Sequence, residues 1–546
     1  MDNQANGGTA IVRWLKNAGI KNVFSVSGGP INPIYQACAH DGVQLVHARH
    51  EAAAGYMAEA AARVSGNPAA LVVTLGPGVA NTLTPAVVSN LGGTPLLIIG
   101  AQSATTSAER GAGMSFELLP AMRSVTKWAA RCTDPNRLAE YLDIAWRKMW
   151  AGRPGPVFLE VPTDVLHQPI SIGLENILPS GPTKPVKPGL SPADADEFLR
   201  KFSAAKRPIL LLGDDTFYDP SEKLQSAIEK HGIPFFTLRL ARGIVDERHP
   251  LCAGPGYTPC NSSLRSALQE ADLIILLGHH FEFDLDFGSA IPVTTEIVQV
   301  AMDQELLHRN RRASLAIAAS SSAFVELLAQ ADTPSFDEAW TRGVVESWNA
   351  EFAAQKGEDD QTGLHPITAV DAVREAMPDN TIFVTSHGNI DFWADARLKI
   401  PARGRYLRAG QSGTLGAEVP YGAGANFEDP DAPVVVFVGD GGVGYHVTEL
   451  DTAERYGRAF TIVVLDDQLW GAIALPQDMK YGETYAMNLP RRDWAKVAEG
   501  LGGKGFIATT PEEIASAVRE AHASGKPAIV QVPVRSVLSP YMAYIS

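Results

Sequence analysis

The chain has 546 residues, a formal net charge of -15, 45% hydrophobic residues and four cysteines. That length is too great for one compact domain and suggests about three. The acidic balance argues against a nucleic-acid partner, whose phosphates need basic surface, while the apolar content is ordinary for a folded protein. Cys38, Cys132, Cys252 and Cys260 form no CxxC pair, so neither a disulfide framework nor a zinc knuckle is expected. The N-terminus lacks a basic-then-apolar signal, and no apolar run approaches the ~20 residues of a membrane span. These features lead us to expect a cytoplasmic protein with no membrane partner.

In chain order, Ile11 to Ala18 reads as an amphipathic helix and NVFSVSGGP as a strand entering a glycine turn. HEAAAGYMAEAAARVSG is an alanine-rich helix of high intrinsic propensity, stopped by Gly66. AALVVTLGPG and TPLLIIGAQ follow as buried strands. SIGLENILPSGPTKPVKPGLSPADADEF is rich in Pro, Gly and Ser and reads as an exposed linker. A second alternation has RPILLLGDD, IPFFTLRL and DLIILLGHH as strands. His279 and His280 follow the last of these, near Glu282, Asp284 and Asp286, but without clean ligand spacing, so an exposed polar loop is expected there. LLGDDTFYD lacks a glycine fingerprint, which argues against a bound FAD or ADP in this region.

Polar sequence near Lys356 to Thr362 marks another boundary, after which NTIFVTSHGN, APVVVFVGDGG, FTIVVLDD and AIVQVPV repeat the pattern. Strands alternating with helices imply parallel sheets covered on both faces. The expected fold class is α/β, with three consecutive doubly wound parallel-sheet domains over residues 1–168, 190–335 and 365–546.

The stretch from Val434 to Gly471 carries the most chemistry. Gly439, Gly441 and Gly444 spell G-x-G-x-x-G, and Asp466 follows at about the distance of a ribose-binding acid. Three readings compete. The glycines could merely make a tight turn. They could bind a dinucleotide, as in a nicotinamide-linked dehydrogenase, although Asp440 inside the turn would repel the phosphates. Or Asp440 and Asp467, at the ends of successive strands, could share one Mg²⁺ that bridges to a diphosphate held by the N–H groups of Gly441 and Gly442. Glu51, at the start of the alanine-rich helix, reads in isolation as a glutamate favoured by the helix dipole.

The segment GDG, a helix and strand, a polar pair and then Q-x-W-G resembles the binding motif of thiamine-diphosphate enzymes. RHEAAAGYMAEAAAR, GPGVANTLTPAVVSNLGGTPLLIIGAQ, VTKWA, RPGPVFLEVPTDV and RAGQSGTLGAEVPYGAGA carry the resemblance along the rest of the chain. Within that family the look is to benzaldehyde lyase, 2-hydroxyacyl-CoA lyase and acetolactate synthase-like proteins. The resemblance implies pyrimidine-binding, central and diphosphate-binding domains, in that order.

It further implies that Asp440, Asp467 and the carbonyl of Leu469 hold Mg²⁺. Glu51 becomes the carboxylate that activates the cofactor, Gly413 gives its carbonyl to the cofactor's amino group, and Leu415 wedges between its two rings. Gly388 and Asn389 would add diphosphate contacts. The family usually ends its motif in Asn-Asn, where this chain has Asp466-Asp467.

The implied activity is C–C lyase or carboligase chemistry on a 2-oxo acid, an acyloin or a 2-hydroxyacyl compound. A simple 2-oxo acid decarboxylase and a non-catalytic relative are the alternatives, beside the dehydrogenase already named. Active sites at a subunit interface are expected, in a homodimer or homotetramer. Substrate-pocket candidates are Ser27, Gly28, Gly29, Pro30 and Leu118 from the N-terminal region, Trp470, Ala472 and Ile473 past the metal loop, and the tail SPYMAYIS. Where benzaldehyde lyase-like sequences place a histidine, this chain has SGGPI, and Leu118 replaces an expected glutamine, so an apolar substrate or a water relay is implied.

Overall fold

Short runs of branched apolar residues, bounded by glycine and polar turns, become strands buried on both faces. Leu96–Gln102 (LLIIGAQ) is an example, with every residue buried. The computed structural model describes residues 5–170, 186–258, 260–360, 363–385 and 387–545. Most of the expected linker between the first two domains lies outside them.

Eighteen strands form three six-stranded sheets among the described residues, and all pairings are parallel. The first sheet comprises β1 (Asn22–Val26), β2 (Gln44–His47), β3 (Ala69–Val73), β4 (Leu96–Gln102), β5 (Trp128–Arg131) and β6 (Val157–Pro162), in the order β2-β1-β3-β4-β6-β5. The second comprises β7 (Pro208–Leu212), β8 (Phe235–Thr237), β9 (Cys252–Pro255), β10 (Leu273–Leu277), β11 (Glu296–Ala301) and β12 (Leu315–Ala318), in the order β9-β8-β7-β10-β11-β12. The third comprises β13 (Ile382–Thr385), β14 (Tyr406–Arg408), β15 (Val434–Gly439), β16 (Thr461–Asp466), β17 (Lys504–Ile507) and β18 (Ala528–Pro533), in the order β14-β13-β15-β16-β18-β17. The outer domains thus repeat one topology, while the central one has the strand order of dinucleotide-binding folds. That order alone implies no nucleotide, because function lives in sites and not in folds.

The outer domains meet through two helices. Glu51–Ser65 is alanine-rich and buried over almost its whole length, and Glu418–Glu428 lies against it. Small residues allow the approach: a Cβ on Gly424 would lie 2.3 Å from the Met57 carbonyl oxygen. The seam also buries polar groups. Tyr421 donates to Glu59 at 2.8 Å, and Arg63 donates to the Arg408 carbonyl. One apolar cluster runs from Phe24 and Leu71 to Val436 and Ile462, so the two domains share a core. Gly424→Ala is expected to destabilise the protein by about 1–3 kcal/mol through overpacking at this seam, read as a lower denaturation midpoint.

Candidate active site

In an open parallel sheet, ligands gather beyond the carboxyl ends of the strands where the strand order reverses. In the third sheet that point lies between β13 and β15. A cavity of about 200 Å³ opens there, and its walls include Gly388, Asn389, Gly413, Leu415, Gly441, Gly442, Asp467, Leu469 and Trp470. The structure therefore brings the C-terminal candidates together.

Asp440 begins the short helix Asp440–Val443 directly after β15, and Asp467 follows β16. Both carboxyls face the same region. Burial, and then the neighbouring Asp467 and Asp466 charges, push Asp440 up to about 7. Burial likewise raises Asp467 to about 6, against hydrogen bonds from Ser536 at 3.0 Å and from the Leu469 backbone. Asp440 Oδ1 is buried without any hydrogen-bond partner. A buried, unsatisfied Asp440 oxygen with the half-buried Asp467 carboxyl near it is a donor set suited to a hard divalent cation.

The backbone between the ligands is built for this. Gln468 is left-handed at φ 56 and reverses the chain between Asp467 and Leu469. Backbone bonds to the 487–489 segment hold the turn: Leu489 donates to Gln468 at 2.8 Å and Trp470 to Met487 at 2.9 Å. Asp466 turns away and accepts from Gln531 at 2.7 Å. The dinucleotide reading needed that acid at a ribose, so the placement removes its support.

The glycines of GDGGVG act through space. Gly439 keeps an ordinary extended φ of -75. A Cβ on Gly441, however, would lie 2.5 Å from the Trp470 ring. Across the cleft, Gly410, Gly413 and Gly416 are all left-handed, at φ 61, 64 and 86, and a Cβ on Gly413 would point into open space. A flat ring can therefore approach this backbone. Asn389 lines the same cleft. Its amide donates to the Val537 carbonyl at 2.7 Å and its oxygen accepts from Ser539 at 2.8 Å, so the side chain ties down the C-terminal segment.

The N-terminal candidates assemble elsewhere. Glu51 is half-buried and accepts from Asn81 at 2.9 Å. A Cβ on Gly78 would lie 3.7 Å from Glu51 and 2.8 Å from Thr74, and one on Gly28 would meet the same Thr74. Ser27 hydrogen-bonds His47 at 3.0 Å. Gly29 is exposed, Pro30 half-buried, and Leu118 packs at the edge of the shared core. None of these residues lines the 200 Å³ cavity, whose walls come wholly from the C-terminal domain.

Sequence reasoning missed several residues. Asp391 and Glu418 line the cleft, each 1% exposed. Burial and the Glu418 charge hold the Asp391 carboxyl well above the usual carboxylate range, while the Gly388 N–H donates to it at 2.9 Å. Both acids lie near helix starts, where nothing in the sequence distinguishes them from dipole-favoured residues. His387 also lines the cleft, with Nε2 2.5 Å from the Gly410 carbonyl. Burial and the Arg408 charge lower it to about 3, so the ring is neutral.

The expectation of an exposed loop at His279 is corrected. His279, Glu282 and Asp284 are all buried. His279 bonds Glu282 at 2.9 Å, and Arg239 pairs with both Glu282 and Asp284. Although His279, His280 and Glu282 lie close enough together to chelate, the guanidinium on Glu282 already supplies the positive charge. These groups form a buried ion network.

Comparison with known proteins agrees with this geometry. Residues 5–118 match "Thiamine pyrophosphate enzyme, N-terminal TPP binding domain", 195–328 the central domain and 386–532 the "C-terminal TPP binding domain" of the same family. The chain is 29% identical to "2-hydroxyacyl-CoA lyase 2" of Homo sapiens, over 93% of this chain and 86% of that protein. It is 27% identical to "Acetolactate synthase large subunit IlvG" of Mycobacterium tuberculosis, over 99% and 97%. It is 28% identical to "Acetolactate synthase isozyme 1 large subunit" of Escherichia coli K12, over 91% and 88%. With all three family domains present in order, the chain belongs to the thiamine pyrophosphate enzyme family and is a thiamine-diphosphate-dependent C–C lyase or carboligase.

Proposed function

We propose that the protein binds thiamine diphosphate through Mg²⁺ at Asp440, Asp467 and the Leu469 carbonyl, and acts on an acyloin, a 2-hydroxyacyl compound or a 2-oxo acid. The observation that carries this reading is the buried, unsatisfied Asp440 Oδ1, with the half-buried Asp467 carboxyl near it on the wall of a glycine-lined cleft. The relatives named 2-hydroxyacyl-CoA lyase and acetolactate synthase support the substrate classes.

When bound, thiamine diphosphate supplies a carbon nucleophile and an electron sink for C–C chemistry. The residues do the rest. Asp440 and Asp467 would hold the cation, and the N–H groups of Gly441 and Gly442 would be available to the diphosphate. Leu415 and the open backbone at Gly413 orient the ring system. The cleft acids Asp391 and Glu418 would repel an anionic ligand if both were ionised. Burial, with the Glu418 charge adding to it, favours the protonated Asp391 carboxyl, which lowers the negative charge on that wall.

Glu51 lies outside its own chain's cleft, and we propose that it serves the cleft of a second copy. Two exposed apolar surfaces support this. Met114 and Phe116, 52% and 57% exposed, stand beside Gly76 near the Glu51 cluster. Met479, Tyr481 and Tyr485 are similarly exposed on the segment that follows the metal loop. A homodimer joining these surfaces, or a homotetramer built from it, would complete two sites and cover the apolar side chains.

Thiamine diphosphate with Mg²⁺ is expected to raise the melting temperature, while NAD does not. Asp440→Ala is expected to abolish that shift, and Asp467→Asn to preserve it. Glu51→Gln should keep the shift and lose at least about 10²-fold in turnover, in the range of lost proton-transfer catalysis; unchanged turnover would remove its role.

A second prediction concerns pH. The folded pKa of Asp391 lies above its unfolded value of about 3.9. Its stability contribution is thus full below that value and is lost as pH rises toward the folded pKa. Asp391→Asn can keep the Gly388 bond. It should raise the melting temperature of the cofactor-free protein at pH 8, with the gain shrinking as pH falls toward about 4.

A further inference from the structure

Beyond the cofactor cleft lies a second cavity of about 540 Å³, which shares His387, Gly413, Ala472 and Ile473 with it. Cavities of this size hold ligands far larger than a three-carbon 2-oxo acid. The charges on its walls are mostly spent inside the protein. Arg239 pairs with Glu282 and Asp284, Arg408 pairs with Asp395 at 2.8 Å, and His280 stands 3.5 Å from Glu282.

Apart from the exposed Arg309, Asn310 and Gln411, what remains on offer is apolar. Phe283, Phe287 and Ile473 line the cavity while 39%, 51% and 54% exposed. Tyr541, from the C-terminal helix, stacks on Phe392 with ring centroids 4.0 Å apart and stands 6.2 Å from Phe283. Large exposed apolar groups gathered around one cavity mark a binding surface.

The backbone makes the same point. Asp286 and Phe287 are both left-handed, at φ 48 and 51. A bulky aromatic residue in that region is a strained outlier. Neighbouring bonds enforce the strain: the Phe287 and Leu285 N–H groups both donate to the Glu282 carbonyl, at 2.9 and 3.0 Å, and Ser289 donates to Asp286 at 2.9 Å. The Phe287 ring held there is half exposed and meets the edge of the Phe283 ring, with centroids 6.2 Å apart.

We infer that Phe283, Phe287 and Tyr541 form the specificity wall of the reaction, receiving a bulky apolar group of the substrate, an aryl ring or a long alkyl chain. This rests on the adjoining cleft being the reaction site. It makes the 283–287 segment of the central domain, together with Tyr541 of the terminal helix, the part of the chain that selects the substrate.

The test uses three unreactive carboxylates that differ only in the apolar part: acetate, octanoate and phenylacetate. Each is titrated calorimetrically into the full-length protein, with and without thiamine diphosphate and Mg²⁺. The expected result is that octanoate or phenylacetate binds at least about tenfold tighter than acetate; whichever does so separates the alkyl from the aryl case. Phe287→Gly should cut that preference about tenfold, leave acetate and cofactor affinity unchanged, and raise the melting temperature by releasing the left-handed strain.

A parent protein without preference, or a preference untouched by Phe287→Gly, overturns the inference. Failure of thiamine diphosphate to bind would instead overturn the reading of the cleft, because the ligand preference is also measured without cofactor.

Discussion

Two carboxyls drawn out of water at neighbouring strand ends lose the solvation that stabilises their charge, and the C-terminal site is organised around that cost. The fold forces the pair. β15 and β16 are parallel neighbours in register from Val435 and Thr461, so their ends come out side by side. Each strand end carries an acid, Asp440 on one and Asp467 just past the other. A protein can tolerate such a pair by keeping protons or by taking up a cation. The raised values of both groups describe the first state, and the unsatisfied Asp440 oxygen makes the second available. The left-handed Gln468 belongs to the same device, since it reverses the chain so that a backbone carbonyl can join two side chains in one donor set.

The packing of the outer domains sets what this site can reach. The Glu51–Ser65 helix is locked against Glu418–Glu428 by small residues and by the buried Glu59–Tyr421 bond. This fixes the start of the Glu51 helix over the 446–451 segment, where the Arg49 N–H meets Glu449 at 3.1 Å and the His50 ring lies 5.5 Å from that of His446. The same rigid seam that stabilises the chain thus holds Glu51 away from the chain's own cleft. That placement fits the proposed service of Glu51 across a contact between copies.

The strands, their parallel arrangement and the acidic strand tips were legible because each is a local pattern: a buried run, then a turn, then a charge. The reasons behind the glycines were not. Gly441 is small because Trp470, 29 positions later, lies against it, and no spacing rule contains that contact. Asp391 and Glu418 were hidden because an acid near a helix start is ordinary in sequence, and only the fold turns both into one cavity. His279 misled for the opposite reason. A run of histidines and acids looks solvated until Arg239, forty positions upstream, is seen to fold into it and supply the counter-charge.

The same contrast separates chemistry from selectivity in this molecule. Residues proposed to touch the cofactor lie in short motifs of the outer domains, where one turn or one helix start can present them. The outer cavity draws instead on the central domain, the C-terminal domain and the terminal helix at once. Its apolar wall residues look like core residues in sequence, yet Phe283, Phe287 and Ile473 stay exposed there beside polar and charged side chains. A surface assembled from three distant segments can change its lining without disturbing Asp440 or Asp467. Left-handed backbone serves both places: Gln468 reverses the chain between Asp467 and Leu469, and Phe287 stands at the wall of the outer cavity. The first is fixed by its place between two proposed ligands, while the wall is free to differ with the apolar group it receives.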